Sequence, residues 1–179
     1  MLRISIADQP ILIRRFSLQD AVHLSNYLNN LSPATQQRFA PHGNAAAAIQ
    51  AFYQQDPLTG AIIAIDIAQE AVIGYAAYRQ TLFTHDFPRY AAYNKMPQPE
   101  VCMNFAPSVA DAWQGKGLGN LLLEQTIQIA QSANMQALVL WGGVQCDNAQ
   151  AIHYYRKNGF IELGSFKHHG CNMDMYLPL

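Results

Sequence analysis

The chain has 179 residues, of which 50% are hydrophobic and 13% are charged, which argues against disorder and predicts one compact domain over residues 1–179. The net charge of −1, with 11 Lys and Arg residues spread along the chain, removes the simplest argument for a nucleic-acid partner. The sequence also lacks an apolar signal segment and any run of membrane-spanning length, so we expect a cytoplasmic protein that does not bind membranes.

Cysteine and histidine residues predict neither a disulfide framework nor a metal centre. Cys102, Cys146 and Cys171 are odd in number and lack CxxC spacing, so we interpret all three as reduced packing residues. His168 and His169 are adjacent, but no third ligand is spaced to join them. We therefore expect no metal.

The first half of the chain combines helix patterns with strand patterns. A strand is predicted from Pro10 to Arg15, and Ser17-Leu18-Gln19-Asp20 resembles the capping box of an amphipathic helix. Ser32-Pro33 is typical of the start of another helix. The remaining predictions are a helical segment at Ala45–Gln54 and a hairpin of strands at Ala61–Ala68 and Val72–Arg79.

The second half predicts strand-to-helix crossovers, and hence a mixed α/β layer structure. Pro107 lies within one predicted strand and requires an edge, a bulge or an end to pairing there. Gly159 stands where a left-handed helix cap is expected. The predicted elements are a long loop at Gln80–Pro99, a strand at Val101–Val109, a helix at Gly117–Ala133, a strand at Ala137–Val144, a helix at Ala149–Asn158, and two strands around His168-His169-Gly170.

A glycine-rich turn joins a predicted strand to a predicted helix. Glycines let a phosphate approach the backbone closely, while a helix N-terminus and a lysine favour an anion. The spacing lacks the GK[ST] of a Walker loop, and it comes too late in the chain for a dinucleotide fingerprint. A diphosphate cradle is one interpretation and an ordinary tight turn is the other. The turn reads Gln114-Gly115-Lys116-Gly117-Leu118-Gly119-Asn120.

This turn and a segment one strand later together resemble the GNAT superfamily of acyl-CoA-dependent N-acetyltransferases. The pattern Q/R-x-x-G-x-G/A is filled by Gln114, Gly117 and Gly119. The second signature is an Asn followed by a helix that ends in Tyr-x-Lys-x-Gly-Phe. Its residues here are Asn148, Tyr155, Lys157, Gly159 and Phe160.

The resemblance implies a GNAT-like α/β fold, with a mixed, mostly antiparallel sheet of about seven strands flanked by about four helices. In this fold two strands splay apart and bind coenzyme A (CoA). The pantetheine arm is expected along Ser108, Val109 and Ala110, and the pyrophosphate on the turn from Gln114 to Asn120. Asn148 is expected to hydrogen-bond the cofactor or the loop before its helix.

The implied reaction transfers an acetyl group from acetyl-CoA, as co-substrate, to a primary amine of a small molecule or peptide. Tyr155 is the expected general acid for the departing thiolate and lies near the cofactor sulfur; Tyr154 is the alternative, one residue out of register. The backbone N–H of Val109 is the expected donor to the thioester carbonyl. A homodimer is one assembly to test, and no nucleic acid or membrane is expected as a partner.

The general base remains unassigned. Several family members carry Glu or His at the position that is Met103 here. Glu100 is predicted on the same strand but on the opposite face, as a surface carboxylate. Asn104 could only hold a water. The remaining candidates are His85, Asp86, His42 or a water chain to bulk solvent.

The family pattern also predicts which segments wall the amine pocket, and leaves two alternatives open. The expected walls are residues 39–44, the loop Phe83–Tyr93, His168-His169, and Trp141 beside Gly142-Gly143. The enzyme could use another acyl-CoA, because the cradle recognises CoA and not the acyl chain. Alternatively, the protein could be a catalytically inactive CoA-binding sensor or partner-binding module.

Overall fold

The computed structural model describes residues 1–39, 41–93 and 97–179. Within these ranges the chain forms nine strands, six α-helices and several short 3-10 turns. The strands are β1 (Leu2–Ile6), β2 (Gln9–Arg15), β3 (Thr59–Asp66), β4 (Ala71–Gln80), β5 (Cys102–Val109), β6 (Ala137–Leu140), β7 (Val144–Gln145), β8 (Ile161–Lys167) and β9 (Cys171–Pro178). The helices are α1 (Ala21–Asn29), α2 (Pro33–Arg38), α3 (Ala46–Gln55), α4 (Phe87–Ala91), α5 (Leu118–Ser132) and α6 (Ala149–Lys157).

The predicted fold class is confirmed: the protein has a mixed α/β fold with a mostly antiparallel, open sheet. The fold divides into two compact units. The first contains Met1–Ala77 and Ala106–Thr126, and the second contains Tyr78–Phe105 and Ile127–Leu179. The described residues contain more elements than the expected seven strands and four helices, and β1, β7 and α4 are among the short elements that sequence patterns do not predict.

The first unit contains the antiparallel strands β1, β2 and β3, joined in that order. Ile11 and Ile13 of β2 are fully buried, as the Ile-rich pattern predicts. β1 was not predicted because its turn, Ala7-Asp8, lacks glycine. Both residues nevertheless have positive φ, 49° and 64°, which is the geometry of a two-residue hairpin.

The predicted capping box at Ser17–Asp20 is present and opens the 3-10 turn Leu18–Asp20 that leads into α1, and the predicted cap of α2 at Ser32 is confirmed. The backbone N–H of Ser17 donates to Asp20 Oδ2 (2.8 Å), and Arg14 donates two hydrogen bonds of 2.7 Å to the same carboxylate. The Ser32 hydroxyl accepts from the N–H of Thr35 at the start of α2. The Ser32 contact satisfies a helix-end N–H of α2 that otherwise has no partner, and the Asp20 contacts fix the turn that precedes α1.

The second unit is organised around β9, which pairs antiparallel with β6, β7 and β8. β5 runs parallel to β6 from Cys102 to Phe105, so this pairing ends before Pro107, as expected. The predicted strand Ala137–Val144 is confirmed for Ala137–Leu140 but wrong as one continuous strand, because it breaks after Leu140. Gly142 and Gly143 have φ of 75° and 72°, and a Cβ at Gly143 would lie 2.8 Å from the Met173 carbonyl oxygen. A strand cannot continue through this turn.

The predicted long loop at Gln80–Pro99 is also wrong. It contains a 3-10 turn at Thr84–Asp86, helix α4, and the start of a second 3-10 turn at Pro99–Val101; residues 94–96 lie outside the described part. The segment is held by Asp174 of β9, which is 0% exposed. Arg89 forms an ion pair with this carboxylate at 2.7 Å, and the hydroxyls of Tyr90 and Tyr93 each donate to it at 2.9 Å.

The prediction that all cysteines are reduced is wrong for two of the three. Cys146 and Cys171 form a disulfide, whereas Cys102 is free and buried as expected. The sequence spacing gave no signal because the strand pairing creates the proximity: Gln145 of β7 lies opposite Asn172 of β9, one residue from each cysteine. The N–H of Cys146 also donates to the Cys171 carbonyl.

We expect the disulfide to stabilise the fold, since its cysteines are 25 residues apart in sequence and closing a loop of this size contributes about 2–4 kcal/mol. Reduction by a dithiol should lower the denaturant midpoint accordingly. A double variant, Cys146→Ser with Cys171→Ser, is the control and should unfold at the lower midpoint with or without reductant. Identical midpoints for the oxidised and reduced wild type would contradict this prediction.

Candidate functional site

The glycine-rich turn has the open backbone that the sequence predicts. Gly115 and Gly117 have φ of 72° and 85°, and a Cβ at either position would meet no atom within 4 Å. Both glycines and the intervening Lys116 are exposed. α5 begins directly after them at Leu118. The turn therefore offers accessible backbone at a helix N-terminus beside a lysine, which is an arrangement that binds anions.

The turn is held in place by close packing of α5 on β4. Leu118 and Leu122 are fully buried. A Cβ on Gly74 of β4 would lie 3.1 Å from the side chain of Leu118 and 3.2 Å from that of Leu122. Glycine at position 74 therefore permits the first turn of the helix to lie directly on the strand.

The end of β5, which precedes the turn, is already partly engaged by the protein. The hydroxyls of Ser108 and Tyr27 are 2.8 Å apart. The N–H of Ala110 donates to the Ile73 carbonyl (2.9 Å), and the side-chain amide of Gln114 donates to the Val109 carbonyl (3.2 Å). The signature glutamine Gln114 therefore links the turn to β5 by a hydrogen bond, and the Ala110 N–H is already hydrogen-bonded to β4.

Asp111 anchors the other side of the turn and was missed in the sequence. Its carboxylate accepts from the backbone N–H of Ser32 (3.0 Å) and from the hydroxyls of Ser32 and Thr35 (2.9 and 2.8 Å). The Ser32 N–H and these hydroxyls hold the pKa of Asp111 below its usual range. The sequence gives no direct signal for this role, because Asp111 and the helix-capping residues Ser32 and Thr35 are far apart in sequence.

Tyr155 lies in the second unit, on α6, and is only 8% exposed. Its ring contacts those of Tyr154 and Phe160, with centroids 5.2 and 5.1 Å apart. Burial, with a smaller contribution from Tyr154, raises the pKa of the Tyr155 hydroxyl well above its ordinary value. The group therefore keeps its proton at neutral pH, as a general acid must.

The other signature residues of α6 determine where the helix begins and ends. The side chain of Asn148 is the N-cap and accepts from the Ala151 N–H at 3.2 Å. Gly159 follows the helix with φ of 85°, and the N–H of Phe160 donates to the Tyr155 carbonyl. These contacts are the left-handed cap predicted from the sequence.

Three acidic or amide side chains considered for proton transfer are poorly suited to act as the base. Glu100 is exposed in a 3-10 turn before β5; its surface position is as predicted, but its placement on the strand was wrong. Asp86 is buried against Arg89 at 2.8 Å. Asn104 is 1% exposed and donates to the Thr81 carbonyl, while its Oδ1 has no partner among the described residues.

The two histidine candidates differ in their surroundings. His85 is a largely exposed side chain stacked on Phe83, with ring centroids 5.4 Å apart. His42 is partly buried between α3 and β4; its Nδ1 donates to the Gly43 carbonyl (2.9 Å), and its Nε2 lies 2.6 Å from the Tyr75 hydroxyl. Burial lowers the pKa of His42 below its ordinary value of 6.5, so the ring is neutral at pH 7.

Comparison with known families shows to which family the chain belongs. The family model for the acetyltransferase (GNAT) family matches residues 27–160, and this range includes the turn and both sequence signatures. The chain belongs to the GNAT family. It is therefore an N-acetyltransferase. A search of curated proteins found no match to this chain.

Solved structures share its fold at low sequence identity. The GNAT domain of PAT from S. lividans has a TM-score of 0.77 and 17% identity, covering 99% of this chain and 96% of its own. YncA from Salmonella typhimurium, solved with acetyl-CoA, has a TM-score of 0.69 and 20% identity, and the match covers 94% of each chain. An aminoglycoside acetyltransferase in complex with CoA and kanamycin has a TM-score of 0.70 and 20% identity, and the match again covers 94% of each chain.

Two searches for other features of the enzyme were negative. Across residues 1–39, 41–93 and 97–179, no helix is long and apolar enough to cross a membrane. Over the same ranges, no group of three or more His, Cys, Asp or Glu side chains is arranged to hold a metal ion.

Proposed function

We propose that the enzyme uses acetyl-CoA to acetylate a primary amine of a small molecule or peptide. The observation that carries this proposal is the glycine-rich turn, with positive φ at Gly115 and Gly117 and open space above both, in a chain of the GNAT family. The chain acts as a single acetyltransferase domain over residues 1–179, since the family match includes residues of both compact units.

The proposed CoA contacts follow the family signature. The pyrophosphate lies on the backbone of Gly115–Asn120, where Lys116 adds positive charge, and the pantetheine arm lies along Ser108–Ala110. Because the Ala110 N–H is bonded to Ile73, the contacts of the arm fall mainly to Ser108 and Val109. Asn148 supports the site by capping α6, and Gln114 supports it by bracing Val109.

Tyr155 is the proposed general acid. When the amine nitrogen bonds to the acyl carbon and the tetrahedral intermediate collapses, the thiolate leaves and takes the hydroxyl proton of Tyr155. The raised pKa of this hydroxyl keeps it protonated until that step, and the N–H of Val109 serves as donor to the developing oxyanion. No metal takes part in this scheme.

The acceptor is proposed as a small or peptide amine because structural neighbours include an aminoglycoside acetyltransferase and a spermidine N-acetyltransferase. Release of free CoA from acetyl-CoA tests this directly with a panel containing a polyamine, an aminoglycoside and a peptide α-amine. Turnover with any of these amines supports the proposal. Tight CoA binding without turnover would instead support a CoA-binding sensor. Faster turnover with another acyl-CoA would show that acetyl-CoA is not the preferred acyl donor.

Gly117→Val should weaken CoA binding at least about tenfold, because a β-branched residue is strained at φ of 85° and its side chain occupies the space of the phosphates. Calorimetric titration with CoA measures the effect. Gly170→Val is the matched control, since Gly170 also has positive φ and open surroundings but lies in the β8–β9 hairpin. Equal affinity in a folded Gly117→Val variant contradicts the proposed phosphate site.

Tyr155→Phe should lower kcat by about 10²–10⁴-fold while leaving the Kd for acetyl-CoA nearly unchanged, because only the proton donor is lost. Tyr154→Phe is the matched control, one position along α6. Steady-state rates and direct titration separate the two effects. If Tyr154→Phe carries the loss and Tyr155→Phe does not, the acid role belongs to Tyr154.

A further inference from the structure

The first unit contains a chain of three hydrogen-bonded side chains that no part of the mechanism above uses. His42 Nε2 lies 2.6 Å from the hydroxyl of Tyr75, and that hydroxyl is also hydrogen-bonded to the hydroxyl of Tyr53. Tyr75 is 0% exposed on β4, whereas Tyr53 on α3 and His42 are each partly exposed. A fully buried hydroxyl therefore connects two groups at the surface of the unit.

The contacts of His42 fix the direction in which a proton can move. A carbonyl oxygen only accepts, so the contact with Gly43 places the hydrogen of the neutral ring on Nδ1. Nε2 then carries the lone pair and accepts the Tyr75 hydroxyl. Within the described part of the chain, the hydrogen-bond partner of Nε2 is the Tyr75 hydroxyl, and that hydroxyl is in turn bonded to Tyr53, so a proton reaches His42 along this path.

The three side chains lie beside the strand end assigned to the thioester. Ile73, two residues before Tyr75 on β4, accepts the N–H of Ala110. Tyr27 contacts the Ser108 hydroxyl at 2.8 Å and is close enough to contribute to the pKa of Tyr75. Burial is the main cause that raises this pKa, followed by Tyr53 and then Tyr27. The hydroxyl thus stays protonated and can only exchange one proton for another.

We propose that Tyr53, Tyr75 and His42 form a proton relay that deprotonates the acceptor ammonium, with Tyr53 touching the amine and His42 as the final proton acceptor. The inference rests on the proposed acetylation of an amine. It supplies the base that is missing where family members carry a Glu or His and this chain has Met103.

The proton and electron balance is closed. One N–H proton of the ammonium passes to the Tyr53 oxygen, the Tyr53 proton to Tyr75, and the Tyr75 proton to His42 Nε2, leaving a neutral amine with a free electron pair. That pair forms the bond to the acyl carbon and the C–S bond breaks. A second N–H proton replaces the one that Tyr155 gives to the thiolate, and the imidazolium later returns its proton to solvent.

The relay predicts a specific pH profile. Among the described residues, the groups packed against His42 are the Gly43 carbonyl on its own segment, Phe52 and Tyr53 of α3, and Tyr75 of β4, and all of them are neutral. Burial lowers the pKa of His42, so kcat/KM should rise with pH through a value below 6.5. Because this rise reports the titration of an enzyme group and not of the amine, it should occur at the same pH for a peptide α-amine of pKa about 8 and an alkylamine of pKa about 10.4.

The decisive experiment compares His42→Gln, Tyr75→Phe and the double variant with these two amines. Each single variant should lose about 10²-fold or more in kcat/KM at pH 7.5. The rise of kcat/KM with pH that remains in each variant should then follow the pKa of the amine used. The double variant should lose no more than either single variant, because one broken link already stops a relay. His23→Gln, at an exposed histidine of α1, is the matched control and should keep the wild-type profile.

Unchanged folding and CoA affinity, checked by thermal unfolding and titration, separate a broken relay from a damaged site. ¹⁵N chemical shifts should show the Nδ1–H tautomer of His42 in the wild type. The relay is overturned by an Nε2–H tautomer, by a wild-type limb that moves with the amine pKa, or by losses that multiply in the double variant. Wild-type turnover with an unaffected His42→Gln variant rejects only the relay, whereas absence of wild-type turnover rejects the acetylation as well.

Discussion

The close packing of α5 on β4 is the contact on which the proposed cofactor site depends. Leu118 is fully buried directly after Gly117, and a Cβ at Gly74 would lie 3.1 Å from its side chain, so glycine at position 74 allows this close approach of the helix to the strand. With the helix start fixed in this way, the exposed backbone of the turn has one orientation. Asp111 then binds Ser32 and Thr35, and Gln114 binds Val109, so the turn is held on both sides without using the backbone that faces outward.

Sequence patterns predicted the parts of this protein that depend on local chemistry. The strand β2, the caps at Asp20 and Ser32, and the cap at Gly159 follow from residue preferences within a few positions, and all are present. The family signatures pointed to the glycine-rich turn, and one of their glycines, Gly117, has a positive φ that favours glycine. The roles assigned to Tyr155 and to the strand Ser108–Ala110 stay predictions that depend on the family pattern.

Features created by pairing between distant segments could not be predicted in this way. The disulfide depends on the register of β7 with β9, and helix α4 is fixed by contacts from Arg89 and Tyr90 to a buried Asp174. Nothing near Cys146 or Arg89 in sequence indicates these partners. The break after Leu140 could have been predicted, since Gly142-Gly143 is a strong turn signal. The apolar residues before these glycines favoured a longer strand instead.

Burial acts in opposite directions on the two groups to which proton transfer is assigned. It disfavours the charged form of each, so it raises the pKa of the Tyr155 hydroxyl and lowers the pKa of the His42 imidazole. At neutral pH burial therefore holds the tyrosine in its protonated form and the histidine in its neutral form. Acid and base roles in enzymes are commonly separated by environments that move two pKa values apart. In the proposed mechanism the same physical effect, removal of water from a polar side chain, keeps the proposed donor for the leaving thiolate protonated and the proposed acceptor of the amine proton neutral, in a chain that has the apolar Met103 where several family members carry a Glu or His.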